Sequence, residues 1–385
     1  MKRIAVFCDG TWNRSDAKFP TNVVKLAQAV ALAPGVPQQV IYVEGVGTGR
    51  GSTGLARGLD RVVGGAFGLG LNLNLEEAYR RLVFSYEPGD EIYLFGFSRG
   101  AFTARSLAGF IRASGLLTRD ALAEIPKALA RYRSDDPTTR PDTEESFAYR
   151  LSHAPHVTTS DKEAEWRRAN GHPEGVRLRI AYVGVWDTVG ALGVPKQFSL
   201  LASVFNGPHQ FHDLSLSSSV ETARQALAID ERRLSYEPTP WNNIPELNAG
   251  APAGAEPYRQ EWFQGVHGSV GGGGDVIGLS NATAVWVAEG AMARGLAFDA
   301  ATVDALRAAS DPFAPLDNHS GGPGLLQRAM ALTARDRAGP VDVAEVSAPA
   351  RARWRGDPGY RPKTLETVAA ALDAPEGDGT PPPRT

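Results

Sequence analysis

The chain has 385 residues, enough to bury one large core or two modest ones, and its formal net charge of -3 offers no electrostatic footprint for nucleic acid or anionic lipid. With 42% hydrophobic and 22% charged residues, it has the composition of an ordinary globular enzyme, not of a disordered or fibrous chain. Its single cysteine, Cys8, excludes an internal disulfide, and no apolar stretch approaches the roughly 18 residues that span a bilayer.

Met1-Lys2-Arg3 begins like a secretory signal, but the apolar run Ile4–Cys8 is too short for one and reads as a first strand, with Cys8 a buried structural thiol. Synthesis and folding in the cytoplasm are therefore expected, with export by a signal-independent machine left open. A helix follows from Asn22 to Leu32, where Val23, Leu26, Ala27 and Val30 share a face and Asn22 is the expected N-cap. Next come a strand at Val40–Glu44, a glycine-rich stretch at Gly45–Gly54 and helical sequence over Leu71–Tyr86. Pro88-Gly89-Asp90 then turns the chain into the apolar strand Ile92–Phe95.

Gly96-Phe97-Ser98-Arg99-Gly100 ends that strand and opens a helical segment, Ala101–Ala113. G-x-S-x-G between a strand and a helix is a nucleophile elbow: a turn tight enough to demand small residues two positions either side of the serine, whose hydroxyl it pushes above the sheet edge. Residues 116–175 are polar, rich in Pro, Arg and Asp, and read as a cap or lid inserted over the site. A strand buried on both faces is predicted at Leu178–Trp186, a helix at Val220–Glu231, a last strand at Trp262–Val266 and a helix at Ala282–Arg294. The catalytic domain is thus expected over 1–294, an Ala-rich helical segment packed on it over 295–371, and a disordered tail over 372–385.

Strands alternating with helices predict a doubly wound, mostly parallel α/β sheet. The count before the serine matches an α/β-hydrolase lacking its first two strands. In that fold the acid and base follow the serine in the order Ser, Asp or Glu, His, each at the C-terminal end of a strand. Asp187, directly after Trp186, fits the acid, with helix N-capping as its plain alternative and Asp275 next in line. His267, just after the last predicted strand and before the run Gly271–Gly274, fits the base. The remaining histidines read as surface residues. The Arg99 amide would supply one oxyanion donor, and amides of Gly10 and Thr11, in the turn after the first strand, the other.

Asp9 reads chiefly as a brace for that turn, and with Trp12, Gly47 and Thr48 it is a candidate for lining the substrate cleft. Gly45–Gly51 lacks the Lys-Ser/Thr of a phosphate-binding loop and fails G-x-G-x-x-G at the third glycine, so a cleft wall is favoured over nucleotide binding. No step of this chemistry demands a metal or cofactor.

The blocks Asp9-Gly10-Thr11-Trp12-Asn13, Gly45-Val46-Gly47-Thr48-Gly49, Gly96-Phe97-Ser98-Arg99-Gly100-Ala101, Gly184-Val185-Trp186-Asp187-Thr188-Val189-Gly190 and Gly265-Val266-His267 occur in a familiar order. In these the chain resembles the α/β-hydrolase family that contains the type VI secretion phospholipase effectors of the first Tle class. The resemblance implies a Ser98, Asp187, His267 triad. Two departures stand out: the family reads H-S-D-V-G-G-G followed by an aromatic residue, whereas Gly268-Ser269 here replaces Ser-Asp and Gly274 stands in the aromatic position.

The reading that follows is a serine hydrolase of carboxylic esters, lipid esters among them, acting through an acyl-enzyme on Ser98. Its alternatives are a phospholipase effector acting on membrane lipids and a catalytically silent binding module of the same fold. The polar insertion leads to the expectation that dispersed short or medium esters are turned over better than bilayer phospholipid. No nucleic-acid partner, transmembrane segment or particular secretion partner is indicated.

Overall fold

Alternate residues of β1 (Arg3–Cys8) face opposite ways, and both sets are buried: Ile4, Val6 and Cys8 enter one hydrophobic core, Ala5 and Phe7 another. A strand apolar on both faces must be covered on both, which dictates a sheet sandwiched between helices. The computed structural model describes residues 1–10, 13–31, 35–45, 64–190, 215–252, 254–321 and 334–374, with backbone alone for 64–70.

Six parallel strands form the sheet: β1, β2 (Gln38–Val43), β3 (Glu91–Phe97), β4 (Arg179–Trp186), β5 (Ala223–Ala228) and β6 (Tyr258–Phe263). Their spatial order is β2-β1-β3-β4-β5-β6. This is the α/β-hydrolase arrangement from its third strand onward. On one face lie α2 (Gly64–Ser85) and α3 (Arg99–Ser114), packed through residues such as Tyr79, Leu82, Leu107 and Phe110. On the other lie α1 (Asn22–Ala29) and α7 (Gly278–Ala293), packed through Val23, Leu26, Val287 and Ala291. Cys8 is buried, and burial together with the neighbouring Asp9 pushes its thiol up to about 12, so it is inert at neutral pH.

Several expectations need correcting. Thr21, not Asn22, caps α1, its hydroxyl accepting from the Val24 amide; Asn22 is buried and donates to the carbonyls of Val270 and Ser280. The helix predicted over Val220–Glu231 is strand β5. Its Ala and Gln residues favour a helix locally, but paired between β4 and β6 the segment is buried nearly throughout, and tertiary burial overrides propensity.

The insertion is misplaced by the cap reading. Helix α3 runs from Ser98 back across the sheet for about 24 Å, so residue 116 starts from the N-terminal edge of the strands, and β4 leaves from that same edge. Between them lie α4 (Ile125–Tyr132), α5 (Glu144–His153) and α6 (Asp161–Ala169), which pack beside α2 and α3 through Ile125, Ala128, Leu129 and Ala154. A buried cluster holds them there: Glu163 bridges Arg150 at 2.8 Å and Arg167 at 2.6 Å, and Arg150 also donates to the Ala113 carbonyl.

Beyond α7, the helix α8 (Ala300–Ala308) is followed by a loop returning toward the C-terminal edge of the sheet. The segment from 334 then packs along β6, where Val346, Trp354, Tyr360 and Leu365 close a third core over Leu227 and Trp262. Leu372, placed by the sequence at the start of the tail, is buried in that core; residues 375–385 lie outside the described part.

Candidate active site

The chain leaves β3 through a corner. Ser98 has φ 59° and ψ −123°, a left-handed conformation that costs on the order of 1–3 kcal/mol for a non-glycine residue. Neighbouring glycines make the corner possible. A Cβ on Gly100 would fall 2.1 Å from the Cys8 carbonyl oxygen, and one on Gly96 would fall 2.3 Å from that of Gly100. The Ser98 amide donates to the Trp186 carbonyl at 3.0 Å, tying the corner to the end of β4. Ser98 takes the N-cap position of α3 without capping it through its side chain, so the hydroxyl is not spent on the helix.

The adjacent corner is Asp187, at the end of β4, with φ 38° and no solvent exposure. Its amide donates to the Ala226 carbonyl at 2.7 Å, and its Oδ1 accepts from the Ala228 amide at 2.9 Å. Its Oδ2 pairs with His267 Nδ1 at 2.6 Å. His267 opens a short helical turn, His267–Gly271, shortly after β6. The ring is held between Phe97 and Tyr236, with centroids 4.6 and 4.5 Å away, and its backbone amide donates to Glu231 Oε2 at 3.2 Å. Glu231 in turn accepts three hydrogen bonds from Arg233.

Electrostatics set the protonation states. Burial alone would raise Asp187, but the charge of Arg337 and the hydrogen bonds from His267 and Arg337 overcome it and hold the carboxyl well below the usual range. An ionised carboxylate only accepts, so Nδ1 of His267 carries the proton and Nε2 keeps its lone pair. Burial, assisted by Arg337, keeps the imidazole below its ordinary value against the pull of Asp187 and Glu231. At neutral pH the ring is therefore an uncharged base.

Ser98 and His267 line one cleft of about 410 Å³ at the C-terminal edge of the sheet. Asn13, Arg99, Arg232, Tyr236, Asn318 and Ala334 are among its walls, and none of its described lining residues comes from 116–175. Helix α3 points its N-terminus, with the Arg99 amide, to this side of Ser98. A Cβ on Gly10 would sit 3.3 Å from that of Ser98, so the turn after β1 lies against the serine.

The Gly10 amide donates to Asp9 Oδ1 at 2.7 Å and is committed there, which removes it as an oxyanion donor. Asp9 is buried and does not line the cleft. Its Oδ2 accepts from the hydroxyls of Thr21 and Tyr42, so it braces the turn instead of touching substrate. Thr11, Trp12, Gly47 and Thr48 lie outside the described residues. Asp275 pairs with Ser320 and His319, and the carboxylate that meets His267 is that of Asp187.

The two glycines that depart from the family pattern share one neighbour. A Cβ on Gly268 would fall 2.2 Å from Asn318 Nδ2, and one on Gly274 would fall 1.9 Å from the Asn318 carbonyl oxygen. The loop returning from α8 fills the space that side chains at 268 and 274 would need. Ser269, in the place of the aspartate, donates to the Leu316 carbonyl on the same loop at 2.6 Å.

Arg337 is the site residue that sequence reasoning missed. It forks onto Asp187, Nη1 to Oδ1 at 2.7 Å and Nη2 to Oδ2 at 3.0 Å. No local motif around Arg335-Asp336-Arg337 marks it, and it lies 150 residues from its partner. Glu231 was missed as well, because it sits in the segment read as a helix.

Among proteins of known sequence, this chain is 27% identical over 260 residues to the uncharacterized protein YEL023C of Saccharomyces cerevisiae, a match that takes in 64% of this chain and 34% of that one. The chain thus spans about a third of that relative. Among solved structures, the Tle1 effector bound to the VgrG spike from the type VI secretion system is similar at 19% identity and a TM-score of 0.37, over 72% of this chain and 52% of that one. An uncharacterized protein from Pseudomonas aeruginosa is similar at 16% identity and a TM-score of 0.37, over 80% and 46%. Residues 2–290 match the catalytic domain of the Tle1-like phospholipase effectors of the type VI secretion system, and the chain belongs to that family.

Proposed function

We propose that this protein hydrolyses phospholipid carboxylic esters through an acyl-enzyme on Ser98. The observation that carries the reading is the Asp187–His267 pair opening onto the same cleft as a serine held in a left-handed corner. Ser98 Oγ attacks the ester carbonyl while His267 Nε2 takes its proton. The imidazolium, stabilised by Asp187, then passes that proton to the departing lysolipid alcohol. Water, deprotonated by the same nitrogen, releases the fatty acid. The Arg99 amide at the start of α3 is one donor for the developing oxyanion, and Thr11 is assigned as the second in place of Gly10.

Family membership supports phospholipid over an unspecified ester, and so favours the effector alternative over the broader esterase reading. The contrary expectation, that dispersed short or medium esters are the better substrates, rested on a polar lid over the cleft and on the net negative charge of the chain; the insertion lies at the opposite sheet edge, which removes the first of these grounds. Among the described residues no helix is long and apolar enough to cross a membrane, which suits an enzyme that meets lipid at a surface. Membership in an effector family supports export after synthesis in the cytoplasm.

The test is fatty-acid release from phosphatidylethanolamine and phosphatidylglycerol vesicles, with fluorophosphonate labelling mapped to a residue by mass spectrometry. Wild-type protein is expected to release fatty acid and to label on Ser98, and Ser98→Ala to do neither while keeping its melting temperature. Full turnover by folded Ser98→Ala overturns the reading.

A further inference from the structure

Arg337 lies beyond the residues 2–290 that the family shares, yet its guanidinium is buried against the acid of the site. We propose that Arg337 is a positioning residue for the reaction, fixing Asp187 in the orientation that His267 requires. The proposal rests on the serine-hydrolase reading above.

The geometry is that of a clamp. Besides the fork onto Asp187, Nη1 donates to the Ala228 carbonyl at 2.7 Å and Nη2 to the Tyr236 carbonyl at 2.6 Å. One planar group therefore joins the acid at the end of β4, the chain leaving β5, and the turn whose Tyr236 ring packs on His267. Only a guanidinium presents parallel N–H bonds to a carboxylate and still has donors for two carbonyls; a lysine ammonium keeps the charge but not the fork. The side chains of Arg337 and Asp187 are 3% and 0% exposed, so water does not screen the pair.

Burial is the main influence that keeps His267 uncharged, and two charges behind the ring act on it in opposite directions. Asp187 favours the imidazolium, whereas the positive charge behind it disfavours it. Other charges near the ring are largely neutralised in place: Glu231 by Arg233 at 2.6 Å, and Arg232 by Asp336 at 2.8 Å. Arg99, Asp230, Asp317 and His319 are the other ionisable residues that line the cleft. Without Arg337, the Asp187–His267 pair would bind its proton at higher pH, and among the described residues Asp187 would keep the Ala228 amide and His267 as donors.

The experiment measures the rate of fluorophosphonate labelling of Ser98 against pH, a readout independent of the natural substrate, in full-length wild type, Arg337→Lys and Arg337→Met. Arg337→Met is expected to label about ten- to a hundredfold more slowly at neutral pH, the scale on which outer partners that orient a functional side chain act at metal sites, and its acid limb is expected to move to higher pH. Arg337→Lys should keep the limb near that of wild type while labelling more slowly, since the charge survives and the fork does not. Should Arg337→Met fail to fold, Arg337→Lys alone decides.

Wild-type labelling rate and acid limb in whichever variant folds overturn the proposal while leaving the serine-hydrolase reading intact. Failure of wild type to label on Ser98 overturns that reading first, and the proposal with it.

Discussion

Ser98 and Asp187 are the two non-glycine residues with positive φ among those described, and they stand at the ends of neighbouring strands. They are held by different means. The Ser98 corner is built from its immediate neighbours: Gly96 and Gly100 let backbone touch backbone, and a helix begins at once. The Asp187 corner is built from distant groups, its carboxylate accepting from Ala228, His267 and Arg337, which lie 41, 80 and 150 residues away. A corner held by local sterics is specified by a short motif. One held by buried charge requires the rest of the fold.

The largest expected effects separate the two corners. Ser98→Ala should abolish turnover, a loss of about 10⁴-fold or more in kcat, and leave stability nearly unchanged because nothing depends on the hydroxyl for packing. Asp187→Asn should cost a similar factor in rate and also destabilise the protein by about 3–5 kcal/mol, since it leaves the Arg337 guanidinium buried without its counter-charge. Combining either with His267→Ala should add little to the loss of rate if the proposed triad acts as one unit. Steady-state kinetics and urea melts on the same preparations measure both. An Asp187→Asn protein as stable as Ser98→Ala would show that the buried pair is not what holds that corner.

The local corner breaks through its glycines. Gly100→Ala drives a methyl group into the Cys8 and Asp9 carbonyls, neither of which moves without shifting the end of β1. A loss of about 3 kcal/mol or more is expected, at the upper end of what overpacking costs. A Cβ on Gly190 would meet no atom within 4 Å among the described residues, and Gly190→Ala serves as the control. Comparable melting temperatures for the two variants would sink the steric account of the elbow.

The same contrast explains what could be read from the chain. Ser98, Asp187 and His267 each follow a strand or lie close behind one, and strand, turn and helix leave signatures within a dozen residues. The six-stranded sheet was legible for that reason, except at β5, where the Ala and Gln residues of Ala223–Ala228 point to a helix and only pairing on both sides makes a strand. Arg337 and Glu231 were not legible, because a buried ion pair depends on which distant segments fold together. Residues 116–175 were set over the cleft, whereas they lie at the other edge of the sheet; the length of α3, which carries the chain away from Ser98, decides that. The departures at Gly268 and Gly274 become intelligible only once Asn318 is seen to occupy the space beside them.

The smallest effect concerns a second buried carboxylate, one beneath each corner. Asp187 has a guanidinium, whereas Asp9, under the serine turn, is met by the neutral donors Gly10 N–H, Thr21 Oγ1 and Tyr42 OH. Burial therefore wins at Asp9 and pushes its carboxyl up to about 6, against the lowering by those hydrogen bonds. The signs are opposite. Asp187, depressed, contributes stability that is complete above its unfolded value of about 3.9 and is lost only in strong acid. Asp9, raised, contributes stability that is complete below about 3.9 and is lost as the pH climbs through about 6. Between pH 4.5 and 8, then, the Asp187 contribution is flat and that of Asp9 declines. Asp9→Asn removes the titration while keeping a buried oxygen for the Gly10 amide. The stability of wild type relative to Asp9→Asn should fall across that range, by roughly 3 kcal/mol at most, and level off above about pH 7. Urea unfolding of both proteins at half-unit pH steps tests this, since every other titrating group cancels in the difference. Parallel curves would mean that Asp9 is ionised throughout, and that the serine turn, like the acid corner, draws on a charge partner.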